Sequence, residues 1–257
     1  MKKLFFLSLM LISVNAFACE CMPRPLVERH QSADYVATAK ILKMLPDKQD
    51  PNHFTLEIFP TNVYKGKPGT TLIEVFYEPC SPFPSENSTW LIFATDGKKG
   101  LSSFEPCSGN LLLDRVFTAD DSIRYPNAER NYKKSIELKL SVLEFLKKQK
   151  ITEVNEYDLK KMLTKDCFSD LKGYTNNNSF VVFKVKVNED LTIGKISTLQ
   201  AFDNSQLSNK LFNCLKENLK INIQESPKIP RKTSLMLIYY YYPAEAEYQS
   251  FIGAADL

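Results

Sequence analysis

The chain has 257 residues, 44% of them apolar, with six cysteines and a formal net charge of +3. A chain of this size can bury a proper core, so disulfides would reinforce its packing and not replace it. The small charge, carried by scattered lysines without a basic stripe, points away from nucleic acid as a partner.

Residues 1–18 read as a signal peptide. Lys2 and Lys3 precede an apolar run from Leu4 to Val14, and Ala16-Phe17-Ala18 has the small-x-small form that signal peptidase cuts. The run is about half of the roughly 20 residues a membrane span needs, and no transmembrane segment is expected elsewhere. The short Lys-rich leader looks bacterial, so the expected location is periplasmic or secreted. That compartment is oxidising, and Cys19, Cys21, Cys80, Cys107, Cys167 and Cys214 are read first as disulfide cysteines. Six cysteines allow fifteen pairings, among which the sequence alone does not choose.

Strands dominate the next hundred residues. In 33–42, Ala33, Tyr35, Ala37, Ala39 and Ile41 share one face, with Asp34, Val36, Thr38 and Lys40 on the other. Residues 53–66, 70–77 and 88–97 are further β-rich runs separated by Pro, Gly, Asn and Ser. Four or five short strands, with no helix expected before about residue 128, predict a small barrel or sandwich.

Residues 128–150 predict a helix, with Ile136, Leu140 and Leu143 at helical spacing, Leu138, Val142, Phe145 and Leu146 alongside, and lysines as a solvated face. Residues 155–165 are read as a second, shorter helix, so that both act as a connector. A second β-containing unit follows. Val181, Phe183, Val185 and Val187 predict a half-exposed strand, with Lys184 and Lys186 on its other face. A turn at 188–194, a strand at 195–202 and an amphipathic helix at 204–220 come next, with Asn204 or Ser205 as N-cap. Residues 233–242 close as a strand. Alternation along it predicts two of Tyr239–Tyr242 buried and two exposed.

The first third resembles the N-terminal domain of the tissue inhibitors of metalloproteinases and the wider netrin-like module family. The resemblance rests on Cys19-Glu20-Cys21-Met22-Pro23 directly after the cleavage site, and on Asp34, Val36, Ala39 and Lys40 in the first strand. It continues through the Val63-Tyr64-Lys65-Gly66 strand end, Cys80, the strand at Trp90, and Cys107-Ser108-Gly109-Asn110, and covers roughly residues 19–110. It implies an OB-like five-stranded barrel with bridges Cys19–Cys80 and Cys21–Cys107. The family's third leading cysteine is absent, since no cysteine lies between Cys21 and Cys80.

In that family the α-amino nitrogen and carbonyl oxygen of the first cysteine chelate the catalytic zinc of a metalloproteinase. For Cys19 the chemistry is sound, because a catalytic zinc keeps an open position and favours loss of the amine's proton. Glu20 would then point into the protease's specificity pocket, and a buried unpaired carboxylate costs several kcal/mol. Either the target pocket is basic or open, or the scaffold has lost inhibition. Three readings therefore stand for this segment: staples on a barrel that binds another protein, a zinc-chelating terminus, and lipid attachment at Cys19.

Residues 166–243 resemble the C-terminal domain of TonB-type energy transducers in their order of strand, strand, helix, strand. The resemblance rests on residues 181–197 as a first hairpin and on residues 207–221 as the family's helix. No inner-membrane anchor or proline-rich spacer like those of true transducers is read in the sequence, so a partner-binding fold is expected. Cys214 on the helix has Cys167 as its expected partner.

His30 and His53 are the only histidines, read respectively as a surface residue and a strand-start residue, and neither has metal-ligand spacing. No phosphate loop, His-Glu-x-x-His helix or nucleophile elbow occurs. The expectation is thus a non-catalytic protein with no cofactor, no intrinsic metal and a protein partner, with a zinc metalloproteinase as the sharpest version. Its fold class is β plus α+β. A signal peptide (1–18), an OB-like barrel domain (19–127), a helical connector (128–165) and a C-terminal ββαβ domain (166–257) make up the chain.

Overall fold

The computed structural model describes residues 24–69, 71–77, 81–97, 100–105, 107–151, 155–223 and 226–254. It opens with a helix that local periodicity did not announce, α1 (Leu26–Ser32), whose seven residues are too few to display a 3.6-residue repeat. Pro25 precedes it with φ −51°, a value its ring imposes and a helix start accepts.

Strands β1 (Tyr35–Pro46), β2 (His53–Lys65), β3 (Leu72–Phe76) and β4 (Thr89–Asp96) follow the four expected β-rich runs, and β5 (Leu101–Ser103) lies beyond them. They hydrogen-bond in the order β1-β2-β3-β5-β4, and β4 returns to β1, which closes an OB-like five-stranded barrel. All these pairings are antiparallel except β3 with β5. A short β6 (Leu111–Leu112) extends β4.

The predicted face of β1 lines the interior, where Tyr35, Ala37, Ala39 and Ile41 meet Trp90 and Phe104. Small residues beside large rings fill the tapering space, and each fully buried large side chain contributes roughly 1.5–3 kcal/mol. Closure gives every barrel strand two neighbours and leaves no free edge.

Helix α2 (Ala119–Arg124) is a six-residue excursion with no buried residue, held by a capping box between Thr118 and Asp121. Helix α3 (Ala128–Lys148) is the predicted connector. It lies along β2, with Lys147 donating to Asn62 at 2.7 Å and Asn62 donating to Glu144 at 3.3 Å. Its lysines are not uniformly solvated, because Lys139 is buried and donates to Ser135 at 2.6 Å.

The helix expected at 155–165 is instead a turn and a strand, β7 (Lys160–Leu163). Asn155 accepts from the Leu159 amide at 2.9 Å and donates to its carbonyl at 3.1 Å, while Asp158 takes φ 49°. Both features break helical continuation. The strand then finds its partner far along the chain, antiparallel to β10 (Leu219–Asn222).

The C-terminal sheet has the order β12-β11-β8-β9, all antiparallel, with β8 (Phe180–Val187), β9 (Ile193–Gln200), β11 (Thr233–Tyr242) and β12 (Phe251–Gly253). Helix α4 (Ser205–Asn218) crosses one face, capped by Asn204, whose side chain accepts from the Leu207 amide at 3.0 Å. Leu207, Leu211 and Leu215 pack on Val181, Phe183 and Val185. Cys167 and Cys214 are disulfide-bonded as expected, with Cα atoms 5.7 Å apart across 47 residues.

The tyrosine expectation fails. Tyr239, Tyr240 and Tyr241 are 1%, 1% and 8% exposed, and Tyr242 is half-buried. Tyr239 and Tyr241 face α4, while Tyr240 enters a cluster containing Val36, Phe93, Leu143, Val182 and Ile238. Both faces of β11 are covered, so alternation sorts its residues between two cores and not between core and solvent. No described helix is long and apolar enough to cross a membrane.

Candidate functional site at the start of the barrel

Four of the residues singled out in the sequence, Cys19, Glu20, Cys21 and Cys80, lie outside the described residues. The described chain begins three residues after Cys21, at Arg24, and what holds that point can be followed atom by atom.

Arg29 is the centre of it. One turn into α1, its Nε donates to the Arg24 carbonyl at 3.0 Å, and its Nη1 donates to the Gly109 carbonyl at 3.0 Å. Its guanidinium lies 5.3 Å from the centre of the Phe93 ring. One side chain thus ties the incoming chain to the Cys107 loop and to β4, and the planar donor fork and stacking are properties lysine lacks.

The loop is shaped to receive it. Phe104, Cys107 and Gly109 have φ of 64°, 62° and 77°. A Cβ at Gly109 would stand 2.4 Å from Arg29 Cδ, so only glycine allows the approach. Asn110 fixes the loop to the barrel by accepting from the Phe93 amide at 2.8 Å and donating to Ser103 Oγ at 2.9 Å. Ser103 Oγ in turn donates to the Phe93 carbonyl at 2.6 Å.

At the other end of α1, Lys65 Nζ donates to the carbonyls of His30 and Gln31 at 3.0 and 2.9 Å, capping the helix. Burial lowers the Lys65 pKa, and Asp34 opposes that shift. Gly66, with φ 93°, follows at once, because a Cβ there would lie 2.8 Å from the Asp34 carbonyl. Asp34 also accepts from the Asp96 amide at 2.8 Å. The motif residues of β1 and β2 are therefore joints: Asp34, Lys65 and Gly66 knit α1, β1, β2 and β4, Val36 and Ala39 are buried, and Lys40 is exposed.

His30 corrects a sequence expectation. It is not on the surface but 2% exposed, and neither ring nitrogen has a hydrogen-bond partner among the described residues. Its side chain falls on the helix face that carries Leu26 and Val27. Burial first, and the Lys65 charge second, lower its pKa from 6.5 to about 4, so the ring is neutral at pH 7. His53 is at the start of β2 as expected, with Nδ1 3.4 Å from an Asp47 carboxylate oxygen.

Beside these contacts a cleft of about 200 Å³ opens, lined by Arg24, Arg29, Thr95, Ser102, Glu105 and Ser108 among others, with Cys107 at its rim. Cys107 is disulfide-bonded, and its partner lies outside the described residues. The arrangement is a rigid polar platform that pins the chain at Arg24. Among the described residues no group of three or more His, Cys, Asp and Glu could hold a metal ion. The sequence signalled Cys107, Gly109, Asn110 and Lys65 through the motifs, but it gave Arg29 no role.

No family model matches the chain, and no curated protein matches it.

Proposed function

We propose that the protein is a secreted or periplasmic, non-catalytic module that binds a protein through its N-terminal segment, and that a zinc metalloproteinase is the partner best suited to that segment. The observation carrying this reading is that Arg24 and the disulfide-bonded Cys107 line one cleft. Three residues span at most about 10 Å, so Cys21 is within easy reach of the Cys107 rim. A Cys21–Cys107 bridge would complete what Arg29 begins, holding the mature terminus on a closed barrel. Such restraint lowers the entropy lost on binding and presents the Cys19 amine and carbonyl as a fixed pair of ligands for a metal with an open position. Glu20 selects among targets, because it is tolerated only by a pocket that is basic or open to water.

The test compares the mature protein with a version carrying one extra residue before Cys19, against a panel of zinc proteases. Inhibition by the first and its loss in the second supports chelation by the terminus. Equal inhibition by both, or by neither, rejects it.

A second reading, an envelope interaction protein without inhibitory activity, draws on the C-terminal sheet. There β9 is an outermost strand, as is β12 on the opposite side, and its edge, unpaired among the described residues, suits addition of an extended peptide. Anchoring through lipid at Cys19 belongs to this reading, and intact mass of the mature chain tests it.

A further inference from the structure

Helix α1 touches both halves of the molecule, packing against β4 of the barrel and β11 of the C-terminal sheet. Leu26 and Val27 join the buried cluster shared by those strands, together with Phe93, Ile238 and Tyr240. His30 occupies the same helix face yet suits an apolar junction poorly. It is fully enclosed, and the N–H of its neutral ring has no acceptor among the described residues. The Lys65 ammonium stands at the same helix end, bonded to the His30 and Gln31 carbonyls.

We propose that α1 is an acid-opened wedge: protonation of the His30 imidazole, enclosed at the junction beside the Lys65 ammonium, expels the helix and parts the barrel from the C-terminal sheet. A second positive charge there would meet the first with no carboxylate bonded to either ring nitrogen.

The charged and titratable groups of the surrounding elements are few. On α1 itself are Glu28 and Arg29; Glu28 faces Lys161 of β7, and Arg29 is turned toward Phe93 and Gly109. The end of β2 contributes Lys65, balanced in part by Asp34 before β1. Strand β4 ends at Asp96, whose amide Asp34 holds, and β11 contributes the buried Tyr240. None of these bonds to the imidazole.

The sign follows from proton binding. The closed form protonates at about pH 4, whereas a freed imidazole protonates near 6.5. Between those values the open form binds a proton that the closed form refuses, so closure is favoured in full above pH 6.5 and loses ground as pH falls toward 4. Opening should rise on the order of 100-fold between pH 7.5 and pH 4. Opening also releases the chain at Arg24, and that consequence alone rests on the N-terminal reading above.

With two histidines in the chain, the imidazole signals of the mature protein can be followed individually by NMR, with His53→Gln assigning them. The His30 signal should remain that of a neutral ring until the pH nears 4. Over the same range, the protection of amides in α1 and on the junction sides of β4 and β11, taken relative to the intrinsic exchange rate at each pH, should fall, while that of Ala37 inside the barrel is kept. His30→Phe should remove the acid response of α1, and Lys65→Met should reduce it by relieving the repulsion. Protonation near pH 6.5 with α1 amides still protected overturns the proposal, as does an unchanged acid response in a folded His30→Phe variant. No protease enters these measurements, so failure here and failure of inhibition are separate results.

Discussion

Strand β1 of the barrel buries Tyr35 to Ala39 and Ile41, strand β11 of the C-terminal sheet buries Leu235 to Tyr241, and the two runs lie under different covers. The interior face of β1 is enclosed by barrel residues alone, among them Ile73, Trp90 and Ile92. Strand β11 gives Leu235, Leu237, Tyr239 and Tyr241 to α4 and its own sheet, and gives Met236, Ile238 and Tyr240 to a cluster built with α1, β4 and α3. A closed barrel completes its own core, whereas an open sheet needs a layer on each face. Here the second layer is the barrel itself, so the two halves are coupled through apolar contact, with α1 lying between.

The largest expected effect tests how far the C-terminal sheet stands by itself. Replacing Cys167 and Cys214 with alanine opens a 47-residue loop, and should cost about 4 kcal/mol on the chain-entropy account. Trp90 is the only tryptophan and lies in the barrel, so its fluorescence reads barrel unfolding while circular dichroism reads the whole. In urea the dichroism transition should move further than the fluorescence transition; equal movement would show a single cooperative unit.

Next comes a matched pair, Ile92→Ala inside the barrel and Ile238→Ala in the shared cluster, each expected to cost about 3 kcal/mol. Ile238→Ala should displace the Trp90 transition although it lies on another sheet. A Trp90 midpoint unmoved by Ile238→Ala would break the proposed coupling.

A smaller effect, about 1–2 kcal/mol, is expected for Gly109→Ala, which strains a φ of 77° and pushes on Arg29. Faster amide exchange at the start of α1 in that variant would sharpen the role given to Arg29, and unchanged exchange would count against it. The smallest effect belongs to Arg231→Ala. This arginine and Glu156 form an exposed pair at 2.8 Å, and its loss should leave both urea midpoints where they were.

Much of the architecture was legible because it is written locally. The alternation through Tyr35–Ile41 identified the inner face of β1, the apolar run at 233–242 marked β11 to the residue, and Asn204 announced α4. The candidate site was legible in part: the motif glycines and Lys65 proved to be joints where chain segments meet, but Arg29 acts across 80 residues to Gly109, a relation no local pattern carries.

By itself, then, the sequence determined where the longer strands and helices form, which faces of them are apolar, and that Cys167 and Cys214 are partners. Those properties depend on side-chain spacing and composition within a few turns of chain. Only the tertiary structure decided that β3 and β5 pair in parallel to close the barrel, and that residues 160–163 become a strand because β10 lies beside them. It also decided that both faces of the tyrosine strand are covered, and that His30 is enclosed at a junction instead of facing water. Burial is a property of what packs opposite a residue, and here the opposing layer comes from the other half of the chain.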